Sequence, residues 1–143
     1  TEHKKDMPQI MAAHNVPYIA TVSPSYPLEL YDKFRFAKDV KGTRYIHILV
    51  PCPPGWGFDP RYTVEMGEMA VKCGMFDLYE IIDGVFSFYG QSQRIAKGKK
   101  REPVEPYIRA QSRFKGIPQE RIDSLQAWVD RKWALYEQMG YCE

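Results

Sequence analysis

Tyr45 to Asp59 reads Y-I-H-I-L-V-P-C-P-P-G-W-G-F-D, and the fold turns on this stretch. A near-continuous apolar run, Tyr45 to Val50, stops at Pro51, with Cys52 just beyond it. Apolar runs of this length bounded by proline are expected as strands buried on both faces, the kind found in parallel sheets. Pro53, Pro54, Gly55 and Gly57 then hold what reads as an extended loop around Trp56. In open α/β sheets, ligands collect outside the carboxyl ends of the strands. Cys52 stands at such an edge. A thiol in a proline-stiffened loop suits a fixed sulfur ligand better than a mobile nucleophile.

Working outward, Pro17 precedes a strand over Tyr18–Val22 that ends in Ser23-Pro24-Ser25. A short amphipathic helix over His3–His14 comes before it, with Met7, Ile10, Met11 and Ala13 at the 3.6-residue period. A second helix runs from Pro27 to Val40, where Leu30, Phe34 and Ala37 form the sheet-facing side and Gly42 closes it. After the proline loop, Asp59-Pro60 reads as an N-cap and first helical residue. Met66, Met69, Ala70 and Cys73 repeat at helical spacing until Gly74. Helix and strand alternate in this order, which implies right-handed parallel crossovers and an α/β fold. Parallel pairing of Tyr18–Val22 with Tyr45–Val50 would bring Ser23–Tyr26 and Pro51–Asp59 to one crevice.

Phe76–Ile82 and Val85–Tyr89 flank Asp83-Gly84, a two-residue hairpin signal. Gly90–Pro103, with Lys97, Lys99, Lys100 and Arg101, reads as an exposed connection, a solvated loop or else a docking patch. Helices over Val104–Gln111 and Pro118–Met139 end the chain. The longer one carries the apolar stripe Ile122, Leu125, Trp128, Val129, Leu135 and Tyr136, too rich for a free tail.

The chain has 143 residues, enough for one domain with a real core, and its 44% hydrophobic content excludes a disordered protein. A net charge of +2 argues neither for nor against nucleic acid, and no apolar run approaches a membrane span. Three widely spaced cysteines form no disulfide framework and fit a reducing, cytoplasmic setting. The opening at Thr1, directly in helix-like sequence, reads as a cut from something longer.

The cysteines and histidines also have plain structural readings. Cys73 lies on an apolar helix face and is expected in the core, while Cys142, near the end, is expected to be exposed. His14 follows a helix and His47 sits inside a strand, so neither is placed as a base for a catalytic cysteine. Zinc and iron–sulfur sites need about four ligands, more than these cysteines supply together. No phosphate-binding glycine loop and no distinctive carboxylate pair is present. On residues alone Cys52 is either a buried structural thiol or a ligand.

Read together, K-K-D-M-P-Q-I-M-A-A-H-N-V-P-Y-I-A-T-V-S-P-S-Y-P-L-E-L and H-I-L-V-P-C-P-P-G-W-G resemble the β subunit of pyruvate:ferredoxin oxidoreductase and related 2-oxoacid:ferredoxin oxidoreductases. The tail K-R-E-P-V-E-P-Y-I-R-A-Q-S-R-F-K, followed by a Trp-bearing helix, is similar to the way those subunits end. The resemblance covers essentially the whole chain and corresponds to the C-terminal half of the family's thiamine-diphosphate-binding subunit. It implies that residues 1–90 are the C-terminal part of an α/β, parallel-sheet thiamine-diphosphate domain, with residues 91–143 a basic loop and helical extension.

The resemblance further implies oxidative decarboxylation of a 2-oxoacid, pyruvate first among the choices, on thiamine diphosphate with Mg2+. Electrons would pass through a [4Fe-4S] cluster to ferredoxin, with an acyl-CoA as product. Cys52 matches the family's fourth cluster cysteine. The other three cysteines and the G-D-G…N motif for Mg2+ and diphosphate have no counterpart in this sequence. The cofactors would therefore be completed outside the chain, and no catalytic residue carries over. Implied partners are the remainder of the β subunit, the other subunits, ferredoxin, CoA and the 2-oxoacid, and neither nucleic acid nor membrane. A non-catalytic interaction or assembly subunit and a free-standing cysteine enzyme are the alternative readings.

Overall fold

A computed structural model describes residues 5–142 of the chain. Helix α1, Met7–Ala13, starts where the Asp6 side chain accepts from the Gln9 amide. This is a shorter helix than the one expected over His3–His14, and His3 lies outside the described residues. Strand β1, Tyr18–Val22, follows, and helix α2, Pro27–Asp39, crosses over to strand β2, Arg44–Ile48. β1 and β2 pair in parallel, with Tyr18 opposite Arg44 and Val22 opposite Ile48. The α/β reading and the parallel pair both hold.

The strand buried on both faces is β1, not β2. Every β1 residue is buried, whereas β2 is half-exposed, with Ile48 at 42% and Val50 just beyond it at 58%. The cause is position in the sheet, whose order is β2-β1-β3-β4. β2 stands at an edge, while β1 has a neighbour on each side. β3, Tyr79–Ile82, and β4, Val85–Phe88, form the expected hairpin, and β3 pairs antiparallel with β1. Asp83 and Gly84 both take positive φ, 48° and 83°, which suits the right-handed twist of the two strands.

The pleat of β1 divides the core between the two faces of the sheet. Tyr18, Ala20 and Val22 pack with Ala37 of α2 in a small cluster. Ile19 faces the larger cluster, which gathers Met66 and Ala70 with Val104, Ile108, Ile122 and Val129. Those residues come from α4, Thr63–Lys72, α6, Val104–Arg109, and α7, Gln119–Gln138. α4 begins later than Asp59-Pro60 suggested. Asp59 instead caps a short 3-10 turn, Pro60–Tyr62, by accepting from the Arg61 amide at 3.0 Å. On α2, Leu30 and Ala37 meet the sheet, but Phe34 is 44% exposed. The cluster under this helix is small, and the flank that carries Phe34 stays open.

The connection expected over Gly90–Pro103 is helical over half its length. Helix α5, Gly90–Ala96, buries Gln91, Ser92 and Ile95, and the Ser92 hydroxyl accepts from the Leu78 amide at 2.8 Å. Its polar residues read as solvated, yet a partner lets them bury. Lys97, Lys99 and Lys100 are exposed, while Arg101 turns inward to Asp130 at 2.7 Å. On α7 the buried stripe is Ile122, Val129, Trp133 and Tyr136. Leu135, expected in that stripe, is 52% exposed, and Trp133 takes the buried place by stacking on Phe88, ring centroids 5.1 Å apart.

Candidate functional site

The ladder between β1 and β2 runs one residue past β2, where the Leu49 amide donates to the Val22 carbonyl at 2.9 Å. Pro51 is buried and has no amide hydrogen to extend it. The stretch expected as an extended loop is a single helical turn instead, α3, Pro53–Trp56. Prolines suit its first turn, where amide donors lack helical partners anyway. Cys52 is the N-cap residue, and its carbonyl accepts from the Trp56 amide at 2.8 Å. Gly57 ends the turn in the left-handed region, φ 73°, and its amide donates to the Pro53 carbonyl at 2.8 Å.

Cys52 is solvent-exposed. Gly55 makes its surroundings specific, because a Cβ there would lie 3.1 Å from the Cys52 Sγ. The absent side chain keeps that flank of the sulfur open. A soft sulfur donor, exposed and with a cleared flank, fits one corner of an iron–sulfur cluster. Among the described residues no group of three or more His, Cys, Asp or Glu side chains is placed to hold a metal ion. Cys52 could serve as one ligand, and a cluster there would need its other ligands from outside the described residues. The same residues do not fit Mg2+ with a diphosphate, which takes hard oxygen ligands.

The turn is held from the C-terminal side of the chain. A 3-10 turn, Ser112–Phe114, follows α6, and the Ser112 amide donates to the Gly57 carbonyl at 3.0 Å. A side chain at Gly57 would overlap the Ser112 hydroxyl. The Arg113 guanidinium sits 4.3 Å from the Trp56 ring centre and 4.7 Å from that of Phe114. Gln111, 1% exposed, braces the tail by donating to the Tyr107 carbonyl at 2.7 Å. Thus P-C-P-P-G-W-G and Y-x-x-x-Q-x-R-F-K, far apart in the chain, touch in the fold. The sequence reading quoted both motifs and missed their contact. The available signal was an arginine-bearing motif with no acidic partner nearby in sequence, matched to a loop tryptophan.

The parallel pairing brings Ser23–Tyr26 to the same sheet edge as Cys52. Ser23 and Ser25 are nonetheless buried and face α4, where a Cβ at Gly67 would overlap the Ser25 hydroxyl. The shallow concavity at this edge is lined by Pro53, Pro54, Gly57, Phe58, Asp59 and Pro60, without the serines. Cys73 is in the core, 1% exposed, and burial pushes its thiol up to about 11. Cys142 was expected to be exposed and is half-buried against the core, which also raises its thiol. Packing of Tyr141 on Phe86, ring centroids 4.0 Å apart, draws the tail inward. His14 is exposed; His47 is half-buried, with its Nδ1 3.2 Å from the Tyr45 hydroxyl. None of the described helices is long and apolar enough to cross a membrane.

No family model matches the chain. Pyruvate synthase subunit PorB of Methanothermobacter marburgensis is 48% identical over 128 residues, covering 89% of this chain and 42% of that protein. The PorB of Methanocaldococcus jannaschii is 42% identical, covering 92% of the chain and 42% of its own length. Ketoisovalerate oxidoreductase subunit VorB of Pyrococcus abyssi is 34% identical, covering 96% and 43%. The chain spans about two fifths of the length of these relatives.

Proposed function

We propose that this chain, which belongs to the β subunits of the 2-oxoacid:ferredoxin oxidoreductases, supplies the last sulfur ligand and its supporting shell to that enzyme's [4Fe-4S] cluster. Residues 1–90 are the C-terminal part of the thiamine-diphosphate-binding domain in this reading, and residues 91–143 its helical extension. The complex would decarboxylate a 2-oxoacid on thiamine diphosphate with Mg2+, reduce ferredoxin and release an acyl-CoA in the cytoplasm. Pyruvate is the favoured substrate, because the relatives at 40–48% identity are pyruvate synthase subunits and the ketoisovalerate subunits stand at 32–34%. Its partners would be the rest of the β subunit, the other subunits and ferredoxin.

The observation that carries the reading is the Cys52 thiol, exposed at the carboxyl edge of a parallel strand pair with Gly55 clearing one flank. A bound cluster relays electrons one at a time, at a potential set by its charge, hydrogen bonding and exposure. The chain's own part is to hold Cys52 Sγ in place. Proline rings stiffen the approach, the Trp56–Cys52 hydrogen bond closes the turn, and Gly57 docks it on Ser112. Thiamine diphosphate and Mg2+ would be held by sequence outside this chain, which alone would be inactive.

In the complete complex, Cys52→Ser should lower the iron content and slow ferredoxin reduction. An unchanged cluster spectrum with unchanged ferredoxin reduction would overturn the assignment. The exposed apolar residues Leu28, Tyr31 and Val50 support a second reading, a non-catalytic assembly subunit. Full activity in complex freed of its cluster would favour that alternative.

A further inference from the structure

We propose that Arg113 is a positioning residue for Cys52, fixing the sulfur by clamping the Trp56 ring between the α3 turn and the C-terminal tail. The inference rests on the cluster-ligand reading and concerns how the ligand is held.

Its first support is what Arg113 lacks. Arg61, Arg101 and Arg109 each pair with a carboxylate, on Asp59, Asp130 and Glu105. Among the described residues Arg113 has no ion pair and no side-chain hydrogen bond. Its guanidinium lies over two rings instead, Trp56 at 4.3 Å and Phe114 at 4.7 Å. A flat, weakly hydrated cation over aromatic faces is a directional contact, and lysine reproduces its charge but not its stacking.

The second support is where the clamp acts. Trp56 is one helical turn from Cys52, and its amide donates to the Cys52 carbonyl at 2.8 Å, so a contact that holds the indole also steadies the turn that carries the sulfur. The Ser112–Gly57 hydrogen bond on the neighbouring residue pair leaves the turn little freedom to rotate about a single contact. Tail and ligand turn are thus joined at two adjacent points, one polar and one cation–π.

The test uses the complete complex with Arg113→Ala and Arg113→Lys. Iron loss to a chelator should be about threefold to tenfold faster in the alanine variant, the range expected when one such contact is removed. The cluster midpoint potential should become more negative, since a nearby cation is gone. The lysine variant should lose iron at an intermediate rate and keep a near-native potential, because it retains the charge but not the stacking. Native iron loss and native potential in Arg113→Ala would overturn the proposal while leaving Cys52 as a ligand. Conversely, a cluster that survives Cys52→Ser removes the ligand reading. The clamp is then scored on the thiol, by mass spectrometry of Cys52 alkylation in complex stripped of iron. There Arg113→Ala should react several-fold faster, and equal rates would overturn the clamp. If Arg113→Ala fails to assemble, Phe114→Leu removes one of the two rings and should speed iron loss to a smaller extent with the potential near native, while native iron loss would overturn it.

Discussion

Cys52 and Cys73 carry the same side chain into opposite surroundings. Cys52 is exposed beside a glycine, whereas Cys73 is buried at the C-terminal cap of α4 with its thiol pushed up to about 11. Iodoacetamide at pH 8 should therefore label Cys52 and spare Cys73 until the chain unfolds, as peptide mass spectrometry would show. The buried thiol also makes stability depend on pH. Between its ordinary value of 9.0 and about 11, the folded chain keeps a proton that the unfolded chain loses. Stability from this source is complete below pH 9 and falls as pH rises towards 11, by ~2 kcal/mol. Cys73→Ala should flatten that alkaline decline in denaturant titrations, at a cost of about 1 kcal/mol near neutral pH. Gly55 makes the complementary case. Glycine in a helical turn is less stable than alanine by up to about 1 kcal/mol, yet only glycine clears the sulfur. Gly55→Ala should leave stability equal or higher and slow the alkylation of Cys52. Faster labelling in that variant would contradict the cleared-flank account.

Among the elements, α7 is held by more than its apolar stripe. Lys132 reaches from it to Asp77 and donates to the Gly74 carbonyl at 2.7 Å, and the Tyr136 hydroxyl donates to Asp77 at 3.2 Å. The Asp77 side chain is 4% exposed, so losing Lys132 would strand a buried charge. Lys132→Met should cost ~3 kcal/mol in urea titrations, and adding Asp77→Asn should recover part of it, because no unpaired charge remains. This network also explains what the sequence could and could not tell. Periodicity placed β1 to the residue, α2 to within one residue, and the hairpin through Asp83-Gly84, because those signals are local. It rotated the face of α7 by favouring Leu135 over Trp133, since the stack on Phe88 is a tertiary contact. Likewise, an apolar run such as Tyr45–Val50 cannot say whether its strand is central or at an edge. The Cys52 turn was legible as a proline-bound cysteine, but its contact with the C-terminal tail was not, because Trp56 and Arg113 meet only in the fold.

On the scale of the whole molecule, the exposed apolar surface gathers on β2 and α2. Ile48 and Val50 lie on or beside the edge strand, and Leu28, 77% exposed, and Tyr31, 62% exposed, crown the helix that crosses to it. A strand edge with free backbone groups beside apolar side chains is a template for association. The opposite edge ends in β4 and carries Val85 near a tight hairpin turn, with α5 leading away from it. The β2 side is therefore where a larger assembly would close over this chain. Obligate contacts of that kind resemble a cut core and exceed the roughly 1,600 Å² of a standard interface. Purified alone, the chain is expected to associate or aggregate through this side, to be colourless, and to bind no thiamine diphosphate. Charged substitutions at two of these positions, Val50→Lys with Leu28→Glu, should then reduce self-association without lowering the melting temperature, because neither side chain packs in the core. Sedimentation velocity on the unmodified chain decides the matter: a stable monomer, or calorimetric binding of thiamine diphosphate with Mg2+, would contradict a surface made to be covered.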